Sequence, residues 1–136
     1  MSPAEAKRYL LSKPEAIVDF PFGPEVAVLK VQGKMFATLG ANAGNNTDDN
    51  KENSETNMNL KCDPDEAVML RDIFDAVVPG YHMNKRHWNT IIFDGSIPKG
   101  EIERMIDNSY ALVVKGLPRS KRVALETAYG KPALYN

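Results

Sequence analysis

Tyr81–Leu117, YHMNKRHWNTIIFDGSIPKGEIERMIDNSYALVVKGL, is the stretch on which the fold turns. Its first eight residues hold Lys85, Arg86, both histidines and the only tryptophan, Trp88. From Trp88 to Phe93 the side chains alternate. Trp88, Thr90 and Ile92 point to one face, and Asn89, Ile91 and Phe93 to the other. Large apolar groups on both faces predict a strand inside a sheet, with Trp88 mostly buried. Asp94-Gly95 then makes a turn, and a helix begins near Pro98. Ile102, Met105, Ile106, Ser109, Val113 and Leu117 share one face of that helix until Pro118 breaks it. A strand, a tight turn and a long one-sided helix describe a sheet with a helix folded back onto it.

The flanks extend this pattern. Ser2-Pro3-Ala4-Glu5 is a capping box with proline in the first turn, and Pro14 ends the helix it starts. Glu15–Glu25 has two prolines and a glycine, which reads as an irregular connector. Val26–Val31 and Met35–Leu39 are strands joined by a hairpin at Gln32-Gly33. Met58, Leu60 and Cys62 alternate with Asn59 and Lys61, giving a strand with one buried face. Asp63-Pro64-Asp65-Glu66 is a second capping box. It opens a helix with Ala67, Leu70, Ile73, Phe74 and Val77 on its apolar stripe, ended by Pro79-Gly80. A short strand fits in Gly80–Asn84, and a short terminal helix in Arg119–Tyr129. The expected fold class is α+β in two layers. An antiparallel sheet packs its helices on one face, in the order α-β-β-β-α-β-β-α, with the short C-terminal helix added.

The chain has 136 residues, 43% of them hydrophobic, and a formal net charge of −1. That size fits a single domain over residues 1–136. The near-zero charge excludes a protein that is basic all over, so nucleic-acid binding would need a local patch. Charge is in fact unevenly placed. Ala41–Asn57 lacks large apolar residues and carries a net −3 from Asp48, Asp49, Glu52 and Glu55 against Lys51. It is expected to be a mobile acidic loop, and its spacing does not match an EF-hand. Lys115–Asn136 carries a net +4. Cys62 is the only cysteine, so no internal disulfide forms, as suits a reducing cytosol. The N-terminus lacks the apolar core of a signal peptide, and no apolar run is long enough to span a membrane. The expected location is cytoplasmic.

Two blocks of residues resemble the MmcQ/YjbR family, small bacterial proteins usually labelled DNA-binding. The first is Asp19-Phe20-Pro21-Phe22-Gly23, followed by Val26–Leu39 with Gly33-Lys34 and Phe36-Ala37. The second is Asn84-Lys85-Arg86-His87-Trp88-Asn89, then Asp94-Gly95-Ser96, Ser109-Tyr110, Leu112-Val113 and Leu117-Pro118. The resemblance spans nearly the whole chain. It implies a five-stranded antiparallel sheet with three helices, similar to secretion-chaperone-like folds. The acidic, asparagine-rich loop departs from the family pattern.

The resemblance implies DNA binding, weak and largely independent of sequence, by contact with the phosphate backbone. The residues that suit this are Asn84, Lys85, Arg86, His87 and Trp88, together with Arg119, Lys121 and Arg122. Lysine and arginine neutralise phosphates, asparagine and histidine donate hydrogen bonds, and tryptophan offers a stacking face. The competing reading has Trp88 packed under a helix and the cations on a solvated turn. No recognition-helix or zinc-finger pattern supports base readout. His82 and His87 lie five residues apart, and adding Cys62 matches no zinc spacing, so no metal is expected. No Walker, dinucleotide or Gly-x-Ser-x-Gly motif is present. Ser109 reads as a small residue at a helix-sheet contact or a hydroxyl bonded one turn back. Tyr110 reads as a packing residue whose hydroxyl reaches the sheet edge. The chain is thus expected to be a binder without cofactor, not an enzyme, and a monomer or weak dimer. Its partner is DNA or, alternatively, a protein held by an adaptor or chaperone-like module.

Overall fold

A computed structural model describes residues 1–41, 56–80 and 83–135. The first helix, α1 (Pro3–Leu11), carries the capping box in full. Ser2 Oγ accepts from Glu5 N at 3.2 Å, and Glu5 Oε1 accepts from Ser2 N at 2.8 Å. The strands that follow are β1 (Ala16–Asp19), β2 (Val26–Val31), β3 (Lys34–Ala41) and β4 (Thr56–Lys61). Next come α2 (Pro64–Ile73), β5 (Val77–Pro79), β6 (Trp88–Ile92), α3 (Lys99–Lys115), α4 (Arg119–Tyr129) and α5 (Lys131–Tyr135). All six strands pair antiparallel in the order β1-β2-β3-β4-β6-β5.

The α+β class, the antiparallel sheet and the one-sided helical layer agree with the sequence reading. The strand count does not: the described residues form six, not five. Ala16–Asp19, expected as irregular connector, pairs with β2 at the sheet edge. Four residues between prolines are too short to show periodicity, and only the partner strand makes them one. Of the segment Gly80–Asn84, where a short strand was expected, residues 81–82 lie outside the described residues; a strand forms just before it, at Val77–Pro79, because α2 ends at Ile73. Phe74 already has extended backbone, so the helical stripe stops short of Val77. Pro79 is tolerated because β5 is an edge strand. The cap of α2 is half a capping box. Asp63 accepts from Asp65 N and Glu66 N, but Glu66 turns to Arg104 and Asn108 on α3. The hairpin at Gln32-Gly33 has positive φ at both residues, +50° and +79°, the conformation that fits the twist of two-residue hairpins.

The core lies between the helices and one sheet face. Ala6 and Leu10 of α1, Ala67 and Leu70 of α2, and Ile102, Met105 and Ile106 of α3 meet Leu29, Phe36, Met58, Leu60 and Ile91 there. Phe36 and Tyr110 touch edge to face, with ring centroids 5.3 Å apart. Tyr110 Oη donates to Pro14 O at 2.7 Å, beside the edge strand, as its sequence position suggests. Ser109 does something the sequence does not announce. Its hydroxyl bonds across to the sheet rather than one turn back, donating to Phe36 O at 2.6 Å and accepting from Lys61 N at 2.9 Å. No helix of the described residues is long and apolar enough to cross a membrane.

The face away from the helices was expected to be solvated along β4. Instead Asn57 and Asn59 are buried. The register sets Thr38, Asn59 and Thr90 in one row across β3, β4 and β6, and the Thr90 hydroxyl is bonded to Asn59 Oδ1. Alternation along one strand does not reveal that burial.

Candidate nucleic-acid interface

The turn before β6 is built from its own short-range bonds. Asn84 Oδ1 accepts from Arg86 N at 2.9 Å, and Asn84 O accepts from His87 N at 3.1 Å. An asparagine that bonds the main chain two residues on stabilises such a turn locally. His87 O then accepts from Cys62 N at 2.7 Å, which ties the turn to the end of β4. Gly80 N donates to Trp88 O at 3.0 Å. A Cβ at position 80 would lie 2.9 Å from both Trp88 Cβ and Trp88 O, so the close approach of the two segments requires glycine.

The cations of the turn are anchored from behind. Lys85 Nζ donates to Gly80 O at 3.0 Å. Arg71 of α2 donates through Nη2 to Lys85 O and through Nε to Asn89 Oδ1 at 2.7 Å. Asn84, Lys85 and Arg86 are exposed, and His87 and Trp88 are half-buried. Trp88 starts the strand as expected, but its setting differs from the reading that packs it under a helix. It pairs with Lys61 of β4, and the alternation of β6 places it on the face away from the helices.

The charges around this turn share one property. Among the described residues Lys61, Arg71, Lys85 and Arg86 have no carboxylate within 4.0 Å, unlike Lys13, Lys99, Arg104 and Arg122. Lys13 pairs with Asp107, and Arg104 with both Glu66 and Glu101 at 3.1 Å. An unpaired cation keeps its full attraction for an anion, while a paired one must first give up its partner. Lys61 and Arg71 were not among the residues singled out from sequence. Lys61 enters only through its register with Trp88, and Arg71 only through the packing of α2, so neither leaves a local signal.

Arg119, Lys121 and Arg122 occupy the first turn of α4. Arg119 and Lys121 are exposed, and Arg122 is half-buried. Arg122 Nη1 donates to Glu126 Oε2 at 3.3 Å, and Tyr135 Oη donates to the same oxygen at 2.6 Å. The Tyr135 hydroxyl, and then Arg122, hold the Glu126 carboxyl below the usual carboxylate range. Thus Asn84, Lys85, Arg86, His87 and Trp88 are brought together, and Arg119, Lys121 and Arg122 form a second group. Among the described residues no hydrogen bond, ion pair or ring contact joins the two groups.

The remaining candidates have structural surroundings. Cys62 is buried, and burial followed by Glu66 and Asp63 pushes its thiol up to about 11. Asp94 accepts from Ser96 N and Ser96 Oγ in the turn after β6, and those bonds lower its carboxyl. Among the described residues no three His, Cys, Asp or Glu side chains gather as a metal site would need. His82 and the carboxylates Asp48, Asp49, Glu52 and Glu55 lie outside the described residues. Ala41 closes β3, and Thr56 and Asn57 open β4.

The architecture defines a class: a two-layer α+β protein whose antiparallel sheet is covered by helices on one side. Within that class the chain belongs to the YjbR family, whose model matches residues 11–112. It is 35% identical to the Escherichia coli O157:H7 protein YbdF over 120 residues, 87% of this chain and 90% of the relative. It is 30% identical to YjbR of Escherichia coli K12 over 125 residues, 92% of this chain and 98% of the relative. A Deinococcus radiodurans crystal structure of the DUF419 domain superposes with a TM-score of 0.74 at 29% identity, covering 91% of this chain and 90% of that one. A Pseudomonas syringae crystal structure gives a TM-score of 0.71 at 28% identity, covering 82% and 98%.

Proposed function

We propose that this protein binds DNA weakly, with little regard to sequence, through the phosphate backbone at the turn before β6. The observation that carries the reading is the group of four cations, Lys61, Arg71, Lys85 and Arg86, with no carboxylate partner among the described residues, beside a half-buried tryptophan. Lys85 and Arg86 meet phosphates. Arg71 holds the Lys85 main chain in place and adds its charge. Trp88 gives a base or sugar an apolar surface next to Lys61. Arg119 and Lys121 supply a second, exposed positive group. The chemistry is binding rather than catalysis, and it takes place in the cytoplasm.

The test is titration of a labelled duplex with the full chain at low and moderate salt, alongside the Lys85→Ala/Arg86→Ala double variant. The proposal expects a salt-sensitive complex that the double variant loses. A duplex that never shifts, or shifts equally with the variant, removes it. Capture of one stoichiometric protein without nucleic acid would point to the adaptor class instead.

A further inference from the structure

We infer a second anion-binding site, in the open groove between the last turn of α3, α4 and α5, that takes a phosphate-bearing group. The groove has a volume of about 450 Å³ and is lined by Lys115, Arg122, Glu126, Lys131 and Tyr135. Three cations face one carboxylate, leaving a formal surplus of two positive charges.

The one carboxylate is already engaged. Glu126 Oε2 accepts from Tyr135 Oη at 2.6 Å and from Arg122 Nη1 at 3.3 Å. Its negative charge fixes Arg122 and the tyrosine and, among the described residues, has no lysine within 4.0 Å. Tyr135 serves a second purpose. Lys115 Nζ lies over its ring, 5.2 Å from the centroid, so the ammonium is positioned by an aromatic face that leaves its charge unneutralised. Lys131 has no carboxylate within 4.0 Å among the described residues. Arg122 engages Glu126 through Nη1 alone, which leaves the rest of the guanidinium fork for another acceptor.

A planar guanidinium between two ammonium groups suits a tetrahedral, multiply charged anion. Arginine bonds two phosphate oxygens at once, and the lysines act as point charges on the others. A single carboxylate ligand would use half of the surplus charge. Two sources share the phosphate chemistry: a free polyphosphate, such as the tail of a nucleotide, and the backbone of a nucleic acid. The site does not rest on the reading of the turn before β6, since no residue is common to the two.

The experiment uses the full chain, uniformly labelled with nitrogen-15, titrated at low salt with inorganic pyrophosphate and separately with a short DNA duplex. Amide shifts of residues 115–135 report the groove, and those of residues 84–88 report the turn. The same titrations are run on Lys115→Gln/Lys131→Gln and on Lys85→Ala/Arg86→Ala. The inference expects at least one probe to shift the groove amides, with affinity roughly tenfold weaker once both lysines are neutral. It expects no change at the groove in Lys85→Ala/Arg86→Ala. Response to pyrophosphate assigns a free polyphosphate, and response to duplex alone assigns the backbone. The inference is overturned if neither probe shifts the groove, or if Lys115→Gln/Lys131→Gln binds as the natural chain does. Both lysines are exposed, so an unchanged melting temperature will show that the variant is folded.

Discussion

Replacing Ser109 by alanine will cost far more than the loss of one oxygen suggests. Ser109 is fully buried, and its hydroxyl bonds at once to β3 and β4, through Phe36 O at 2.6 Å and Lys61 N at 2.9 Å. Ser109→Ala leaves a main-chain acceptor and a main-chain donor without that partner beneath α3. Each such orphan costs about 1–3 kcal/mol. The better helix propensity of alanine returns only about 0.5 kcal/mol. The net loss is therefore about 1.5–5.5 kcal/mol, a large part of the stability of an ordinary domain. Urea denaturation followed by circular dichroism measures it. The midpoint should fall while the m-value stays constant, because the surface exposed on unfolding is unchanged. The melting temperature should drop by roughly 10 °C. A loss below about 0.5 kcal/mol would mean that water or a small shift of α3 satisfies both groups, and the bridging role assigned to Ser109 would be wrong.

Three further expectations follow from the site and its surroundings. Gly80→Ala forces a methyl group to 2.9 Å from Trp88 Cβ and Trp88 O, so it should destabilise the chain by about 1–3 kcal/mol and shift the emission of the only tryptophan. An unchanged spectrum and stability would show that β5 and β6 need not approach so closely. With its thiol pushed up to about 11 by burial, Cys62 should label slowly with Ellman's reagent at pH 8, where roughly one thiol in a thousand is ionised. Urea should accelerate the reaction at least about a hundredfold by exposing the thiol and restoring its ordinary acidity, and equal native and unfolded rates would contradict this placement. The Glu126 carboxyl is lowered in the folded chain by Tyr135 and then Arg122. Its contribution is complete above the unfolded carboxylate pKa and lost as pH falls through the lower folded value. Acid should therefore release Tyr135 from α4, visible in its ring resonances, and Glu126→Gln should remove that pH dependence.

Long periodic segments were legible in the sequence. The helix after Pro98 carries its apolar face over four turns, and it forms as Lys99–Lys115. Arg119–Tyr129 emerges with the expected bounds because Pro118 and Gly130 flank it. Short elements were not legible. β1 and β5 have four and three residues, and pairing with β2 and β6 rather than propensity makes them strands. Part of the site could be read as well, since Asn84–Trp88 are adjacent in sequence and stay together in space. Lys61 and Arg71 arrive from β4 and α2, and only strand register and helix packing bring them to the turn.

The most direct test is the slope of the logarithm of the DNA association constant against the logarithm of salt concentration. Each neutralised phosphate contributes about −0.9, so Lys61, Arg71, Lys85 and Arg86 together predict a slope of about −3.6 or steeper once Arg119 and Lys121 take part. The Lys85→Ala/Arg86→Ala variant should make it shallower by about 1.8. A slope near zero, or one that the double variant leaves untouched, would contradict the assignment of the turn before β6 as the surface that meets nucleic acid.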